Sequence, residues 1–359
     1  MSDSLILVLL QENIPLAPMT TLGVGGPARY FAEARTPADV REAVREARKR
    51  GLPLFVLGGG SNLVVSDAGF AGLVLKIETG GIEERDDDGK LVLDAGAGVE
   101  WDALVGHAVA RNCAGIECLS GIPGTVGGTP VQNVGAYGQE VSETISNVQA
   151  LDLESGEIVE LCPEACRFAY RTSIFNTAAR GRYIILRVSF ALRPGAAPTI
   201  KYADLRHVFS KQKIEHPTLE QVREAVREIR RTKAMLIVPG DEDCCSAGSF
   251  FKNPIVTVSE HQRLLAVAAE RGYDLPSFES GEGIKVPAAW LVEHSGFQKG
   301  YMRGAVAISR RHALAIVNRG GATAADIVAL KDEIQAGVRE QWNVELKPEP
   351  VFVGFTGQP

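Results

Sequence analysis

The chain has 359 residues, 45% of them apolar and 23% charged, with a formal net charge of −6. That balance excludes a disordered or fibrous chain, and a mildly acidic surface argues against a general nucleic-acid binder. The length suits two or three domains, and no apolar run approaches the roughly 18 residues needed to span a bilayer.

Leu5–Leu10 is too short for a signal-peptide core and has no basic residue before it. The next signal is Thr36-Pro37-Ala38-Asp39, which predicts a helix start with Thr36 as N-cap, followed by Val40, Ala43, Val44 and Ala47 at helical spacing up to Gly51. Pro53–Leu57 reads as a short buried strand running into Gly58-Gly59-Gly60-Ser61-Asn62. Leu63–Ser66, Gly72–Lys76 and Leu91–Ala95 read as further strands, so this part is mixed α and β. Val148–Leu153 and Glu157–Leu161 flank the turn signal Glu154-Ser155-Gly156, and Arg182–Leu192 alternates as a half-buried strand. Pro194-Gly195-Ala196-Ala197-Pro198 breaks the chain, with a linker expected to about residue 217. Thr218 and Gln221 then open a helix with Val222, Ala225, Val226 and Ile229 inward. Ser259 with Gln262 repeats the device, and Thr323 with Asp326 opens a last helix carrying Ile327, Leu330, Ile334 and Val338. Between these, Ala305–Ser309 and Ala313–Asn318 read as paired strands, which makes the third section α+β with its own core.

Cys113, Cys118, Cys162, Cys166, Cys244 and Cys245 contain no C-x-x-C pair. Reduced thiols in a cytoplasmic protein are expected. Cys162 and Cys166 lack a second pair to complete a zinc set, so no metal is expected. Cys244 and Cys245 fit either a core or a reactive setting.

Glycine is the compositional outlier, at 38 residues. In Gly58–Asn62, consecutive glycines let backbone N–H groups converge on a phosphate without Cβ interference, although a tight turn between strands accounts for them equally well. A second cluster, Gly121-Ile122-Pro123-Gly124-Thr125-Val126-Gly127-Gly128-Thr129-Pro130, shifts the weighing. Two such loops, each after an apolar segment, suit a long bound dinucleotide. Leu57–Asn62 and Ile122–Gly128 together resemble the two FAD-contacting loops of the UDP-N-acetylenolpyruvoylglucosamine reductases. The resemblance extends through Thr20–Ala28, Phe168–Phe175, Gly248–Pro254 and Glu349–Gly354, in order along nearly the whole chain.

The resemblance implies an α+β protein with the two-part vanillyl-alcohol-oxidase-type (PCMH-type) FAD-binding fold and a C-terminal α+β substrate-binding domain. The expected layout is 1–80 and 81–217 around the flavin, 218–340 for substrate, and 341–359 returning Glu349 to the flavin site. It implies FAD held by Gly58, Gly59, Gly60, Ser61, Asn62, Gly121, Ile122, Pro123, Gly124, Thr125, Gly127 and Gly128. No Gly-Gly-His occurs, so the flavin is expected to be non-covalent. The implied reaction takes hydride from NADPH and reduces the enolpyruvyl ether of UDP-N-acetylglucosamine enolpyruvate, in peptidoglycan precursor synthesis. A cytoplasmic monomer without nucleic-acid or membrane partners is expected.

By resemblance, Ser249 is the proton donor, Arg171 holds the substrate carboxylate as enolate charge grows, and Glu349 is the third catalytic residue. A carboxyl at 349 kept protonated beside the substrate carboxylate could donate a hydrogen bond to the enolate. Tyr202 resembles the mobile tyrosine of the longer subclass that closes over the UDP part. Lys233 matches the lysine near the diphosphate, and Asn253, Lys285 and Glu293 sit at substrate-side positions. Taken singly, each has a plainer reading: a loop serine bonded to nearby backbone, a surface ion pair for Arg171, a charge at a helix C-terminus for Lys233. Pro350 removes a ladder donor, which predicts an edge position. One departure from the family is Asp241-Glu242-Asp243, an acidic run expected to face solvent. None of the six histidines falls in a matched motif, so none is assigned to catalysis.

Two other readings stand beside the reductase. A flavin oxidase of the same fold, acting on another sugar or alcohol, would consume little NADPH and form peroxide. A non-catalytic nucleotide-binding protein would purify without flavin colour.

Overall fold

The computed structural model describes residues 9–281 and 283–357, so residues 5–8 of the N-terminal apolar run lie outside the described residues. The chain divides into two compact units, one formed by 9–14, 28–60 and 71–236, the other by 15–27, 61–70 and 237–357. Both are mixed α and β.

Among the described residues the first unit carries, beside a two-stranded ribbon of Gly135–Ala136 and Gln139–Glu140, two large sheets. One orders its strands Gln11–Pro15, Pro27–Ala34, Phe70–Ile77 and Leu54–Leu57, the last two parallel. The other orders Ile158–Leu161, Ile145–Asp152, Tyr183–Pro194, Lys90–Gly96 and Ile82–Asp87, all antiparallel. The helix Pro37–Lys49 starts as its sequence dictates. Thr36 accepts from the Asp39 N–H while Asp39 accepts from the Thr36 N–H at 2.8 Å, a reciprocal cap, and Val40, Ala43, Val44 and Ala47 are buried. A second helix, Trp101–Ala110, has no polar face to announce it. Trp101, Leu104, Val105, Ala108 and Val109 form one buried stripe, and the opposite side carries the small apolar residues Ala103, Gly106 and Ala110, so the polar contrast is weak.

Three expectations change here. The linker expected up to residue 217 contains a helix, Ala203–Gln212, anchored by Leu205 and Phe209 one turn apart. A separate flavin subdomain ending near residue 80 has no core of its own: Ala32, Val40 and Leu75 share one apolar cluster with Leu93, Leu104 and Phe190. The helix Leu219–Thr232, expected to open the third domain, packs in the first unit. Leu219 joins that same core, and Val222, Val226 and Ile229 pack on Leu205 and Phe209. The division therefore falls after Leu236 rather than near 217.

The second unit is built on the antiparallel sheet Met302–Arg303, Val306–Ile308 and Ile316–Asn318, with a second three-stranded antiparallel sheet of Ile255–Val256, Gly283–Lys285 and Phe278–Ser280. The parallel pair Leu63–Val65 and Val351–Val353 completes it. Pro350 sits just before this edge pair. Ala288–Glu293 and Ala324–Trp342 cover the core, in which Leu22, Phe250, Leu291, Ile308, Ile327 and Trp342 have no exposed surface. Two carboxylates cap the last helix: Asp326 accepts from the Thr323 N–H, and Asp67 accepts from the N–H groups of Ala324 and Ala325 at 2.7 and 3.0 Å. The helix Val258–Glu270 begins two residues earlier than expected, on Thr257 and Glu260 rather than Ser259 and Gln262. Two overlapping capping patterns compete there, and the pair containing a carboxylate forms. The six cysteines form no disulfide among the described residues.

Candidate active site

The two glycine-rich loops, about 60 residues apart in sequence, touch in the first unit. A Cβ at Gly59 would lie 2.6 Å from Cα of Gly124, and one at Gly58 would lie 2.9 Å from Oγ1 of Thr125. Gly59 is therefore glycine because another backbone lies against it, not only because a phosphate would approach. The second loop is stitched to the segment before Trp101. Val126 N–H donates to the Val99 carbonyl, Gly127 N–H to Ala97 and Trp101 N–H to Gly124, at 2.8–3.0 Å. The Gly128 N–H donates to Thr125 at 3.0 Å. Gly127 and Gly128 thus shape the loop with their own N–H groups.

Gly121 opens this loop and is gripped from both sides of its peptide group. Its N–H donates to Oδ1 of Asp102 at 2.6 Å, and its carbonyl accepts from Nε of Arg230 at 3.0 Å. Asp102 is held in turn by a two-pronged pair with Arg223, at 2.6 and 2.9 Å, and by Arg227. Burial opposes ionisation of Asp102, but the Arg223 and Gly121 hydrogen bonds and the two arginine charges outweigh it, so its carboxyl sits below the usual range. For Arg230, burial dominates and lowers the guanidinium from its ordinary value. Sequence reasoning missed this clamp. The signal available was Arg223, Arg227 and Arg230, spaced four and three apart and so sharing one face of the helix Leu219–Thr232.

Arg171 also lies in the first unit, at the tip of a tight turn closed by reciprocal bonds between Ala169 and Thr172, both 3.1 Å. Its φ of 56° is left-handed, a conformation that costs a non-glycine residue free energy and is enriched at functional positions. The Asn133 side chain donates to the Ala169 carbonyl at 3.1 Å and that of Asn176 to the Arg171 carbonyl at 3.2 Å, so the strained turn is braced on both arms. Tyr202 is 43% exposed, and its ring meets Tyr137 edge-on at 5.3 Å. Tyr137 is a second residue outside the sequence-based set. Lys233 pairs with Asp204 at 2.5 Å, two residues after Tyr202. Burial works against its charge, but Asp204 prevails and raises it.

The second unit holds Ser249, Glu349, Asn62, Ser61, Asn253, Lys285 and Glu293. Phe250 N–H donates to Leu314, Glu349 N–H donates to Phe250, and Lys252 N–H donates to Lys347, at 2.8–3.0 Å. Ser249 and Glu349 therefore sit on laced, neighbouring segments. Asn62 joins them, its side chain donating to the Glu349 carbonyl at 3.3 Å while its own carbonyl accepts from Val351 at 2.9 Å. The side-chain oxygen of Asn253 caps the Ala288 N–H at 2.9 Å. Glu293 ends the helix Ala288–Glu293 and faces Lys299 at 3.8 Å. Lys285 lies on the strand paired with Ile255 and Phe278.

The acidic run does not face solvent as expected. Asp243 is buried, pairing with Arg319 at 2.6 Å and with Arg311 at 3.3 Å, and Asp241 also binds Arg311; only Glu242 is exposed. Hydrogen bonding from Arg311 holds the Asp241 carboxyl below its usual range despite partial burial. Of the two adjacent thiols, Cys244 is buried and pushed up by that burial, whereas Cys245 is exposed.

Residues 28–161 match the family model of an FAD binding domain, and residues 240–353 match that of the UDP-N-acetylenolpyruvoylglucosamine reductase C-terminal domain. The UDP-N-acetylenolpyruvoylglucosamine reductase of Thermobifida fusca (strain YX) is 44% identical over 351 residues, covering 96% of this chain and 98% of that protein. That of Streptomyces avermitilis is 46% identical over 361 residues, covering 98% of each. The chain belongs to the UDP-N-acetylenolpyruvoylglucosamine reductase family. The crystal structure of the Thermus caldophilus reductase has the same fold, with a TM-score of 0.66 at 26% identity over 97% of this chain and 100% of that one. As a family member the chain is an FAD-dependent oxidoreductase. It uses NADPH to reduce UDP-N-acetylglucosamine enolpyruvate to UDP-N-acetylmuramate in peptidoglycan precursor synthesis. The oxidase alternative is not favoured by these relatives. The touching glycine loops fit FAD: a side chain at Gly58 or Gly59 would wedge the two loops apart, so their close approach depends on glycine there. Among the described residues no helix is long and apolar enough to cross a membrane.

Proposed function

We propose that Ser249, Arg171 and Glu349 carry the chemistry of this reductase, with Ser249 as proton donor. The observation that supports this most is the lacing of Ser249 to Glu349 through the Phe250–Glu349 hydrogen bond of 2.9 Å, because the reaction needs a donor and a charge stabiliser side by side. Gly58–Asn62 and Gly121–Gly128 would hold FAD, which when bound would supply the hydride chemistry between NADPH and the terminal vinyl carbon of the substrate. The residues of the chain manage what that transfer leaves behind. Arg171 would bind the substrate carboxylate through its planar guanidinium and gain strength as enolate charge develops. Glu349 would hydrogen-bond the enolate, and Ser249 would give its hydroxyl proton to the carbon adjacent to the hydride acceptor.

Tyr202 would cover the uridine end and Lys233 would meet the diphosphate, with Asn253, Lys285 and Glu293 on the sugar side. The exposure of Tyr202 supports a closing role, since a covering side chain must first be out of the way. A cytoplasmic monomer completes the reading. Its test is a pair of half-reactions followed anaerobically by flavin absorbance. Ser249→Ala should leave flavin reduction by NADPH unchanged and slow reoxidation by the enolpyruvyl sugar by at least ~10²-fold, the usual loss on removing a general acid. Equal slowing of both halves would remove Ser249 from the proton-donor role.

A further inference from the structure

His312 stands 3.4 Å from Ser249, Nε2 to Oγ. The tautomer is fixed by its other nitrogen. The backbone N–H of Leu314 lies 3.1 Å from His312 Nδ1, and an amide N–H can only donate, so Nδ1 is the lone-pair nitrogen. The proton of the neutral ring is then on Nε2, directed at Ser249 Oγ. The serine oxygen accepts from the histidine, and its own hydrogen is turned elsewhere. This is the reverse of the arrangement that activates a serine nucleophile, where the histidine accepts the hydroxyl proton.

The same tight turn holds both partners. His312 lies between the strands Val306–Ile308 and Ile316–Asn318, in a turn closed by Ala315 N–H to the His312 carbonyl at 3.1 Å and Ser309 N–H to the Ala315 carbonyl at 2.8 Å. Phe250 N–H bonds to Leu314 in that turn at 2.8 Å, so the residue after the serine and the residue two after the histidine are tied together.

We infer that His312 is a positioning residue for Ser249: it donates Nε2–H to Oγ, aims the hydroxyl proton outward and stabilises the alkoxide left when that proton departs. The inference rests on Ser249 being the proton donor. In balance, the Oγ–H bond breaks and a C–H bond forms on the substrate carbon. The electron pair stays on Oγ, where His312 N–H meets it, and water then returns one proton to the oxygen. A hydrogen bond that strengthens as its acceptor becomes charged also explains how an alcohol, a weak acid in water, could work as the donor.

The test uses the FAD-loaded enzyme with flavin content and unfolding midpoint measured for every variant. His312→Phe fills the space without an N–H donor and should slow reoxidation by the enolpyruvyl sugar about tenfold, the worth of one hydrogen bond to a charge-developing oxygen, with reduction by NADPH unchanged. His312→Gln keeps a donor on a side chain of similar reach and should restore most of the rate. In Ser249→Ala, adding His312→Phe should cost nothing more, because the histidine acts through the serine. If Ser249→Ala slows reoxidation but His312→Phe does not, or if the two losses multiply, the positioning role is overturned while the serine assignment stands. If Ser249→Ala itself leaves reoxidation intact, the assignment of the proton donor has failed instead.

Discussion

The two units hold their functional segments by different physical means. In the first, charge grips the loop Gly121–Gly128: Asp102 binds the Gly121 N–H, Arg223 and Arg227 bind Asp102, and Arg230 binds the Gly121 carbonyl. In the second, main-chain bonds lace the Ser249 and Glu349 segments over a core in which Phe250 and Trp342 are fully buried. The charges of that unit, Asp241 and Asp243 with Arg311 and Arg319, brace the chain before Ser249 rather than the serine loop itself. A charge clamp responds to pH and to loss of one partner. A laced loop over an apolar core responds to lost volume.

The strongest way to sharpen that contrast is Trp342→Ala. Emptying a fully buried indole site should cost about 3–5 kcal/mol, read by urea unfolding followed by circular dichroism. A loss below about 1 kcal/mol would mean that packing is not what secures the second unit. Next comes Asp102→Ala, which strands Arg223 and Arg227 without a counter-charge. The side chains keep 17–36% exposure, so the cost should fall to about 2–3 kcal/mol, short of the ~3–5 for a fully buried broken pair, with lower FAD occupancy. Because the Asp102 carboxyl lies below its ordinary value, its stabilisation is complete above the unfolded pKa of about 3.9 and is lost as the pH falls through the lower folded value. The stability gap between the parent chain and Asp102→Asn should therefore be constant from pH 7 to about 5 and close below about 4. A gap that closed near neutrality would contradict the clamp.

Gly59→Val should come third. Its Cβ would collide with Gly124 Cα, an overpacking worth about 1–3 kcal/mol, and flavin content should drop in a protein that still folds. Full FAD occupancy would show that the loop contact does not shape the cradle. The smallest effect is expected from Lys233→Met, since the Lys233–Asp204 pair is 39% and 42% exposed. Its stability change should stay within about 1 kcal/mol by thermal unfolding. A larger loss would make charge the anchor of the Tyr202 helix as well.

What the sequence discloses follows the range of each interaction. The caps at Thr36, Thr218 and Thr323 are legible because both partners lie within one helical turn. The glycine loops are legible as motifs, but their mutual contact is not, since Gly59 and Gly124 meet only after the sheets form. Trp101–Ala110 hides because the side opposite its buried stripe carries Ala103, Gly106 and Ala110, small apolar residues that blunt the amphipathic contrast. The helix Ala203–Gln212 hides because it offers only Leu205 and Phe209 as anchors. His312 and Asp102 are out of reach for the same reason: their partners lie 63 and 121 residues away. The acidic run misleads because Arg311 and Arg319, which neutralise it, come from a distant strand pair.

The parallel pairing of Leu63–Val65 with Val351–Val353 has a consequence for biosynthesis. Asn62 and Glu349, which bond beside that pair, are 287 residues apart, so a ribosome adding about 5–20 residues per second leaves the early strand waiting roughly 15–60 s for its mate. Until then the nascent chain exposes an apolar edge, and the carboxylate proposed for catalysis has not been made. Nascent chains halted before Val351 should be cut readily within 61–70 by added protease, and chains extended past Val353 and released should resist, so synthesis of this late strand itself would license the enzyme.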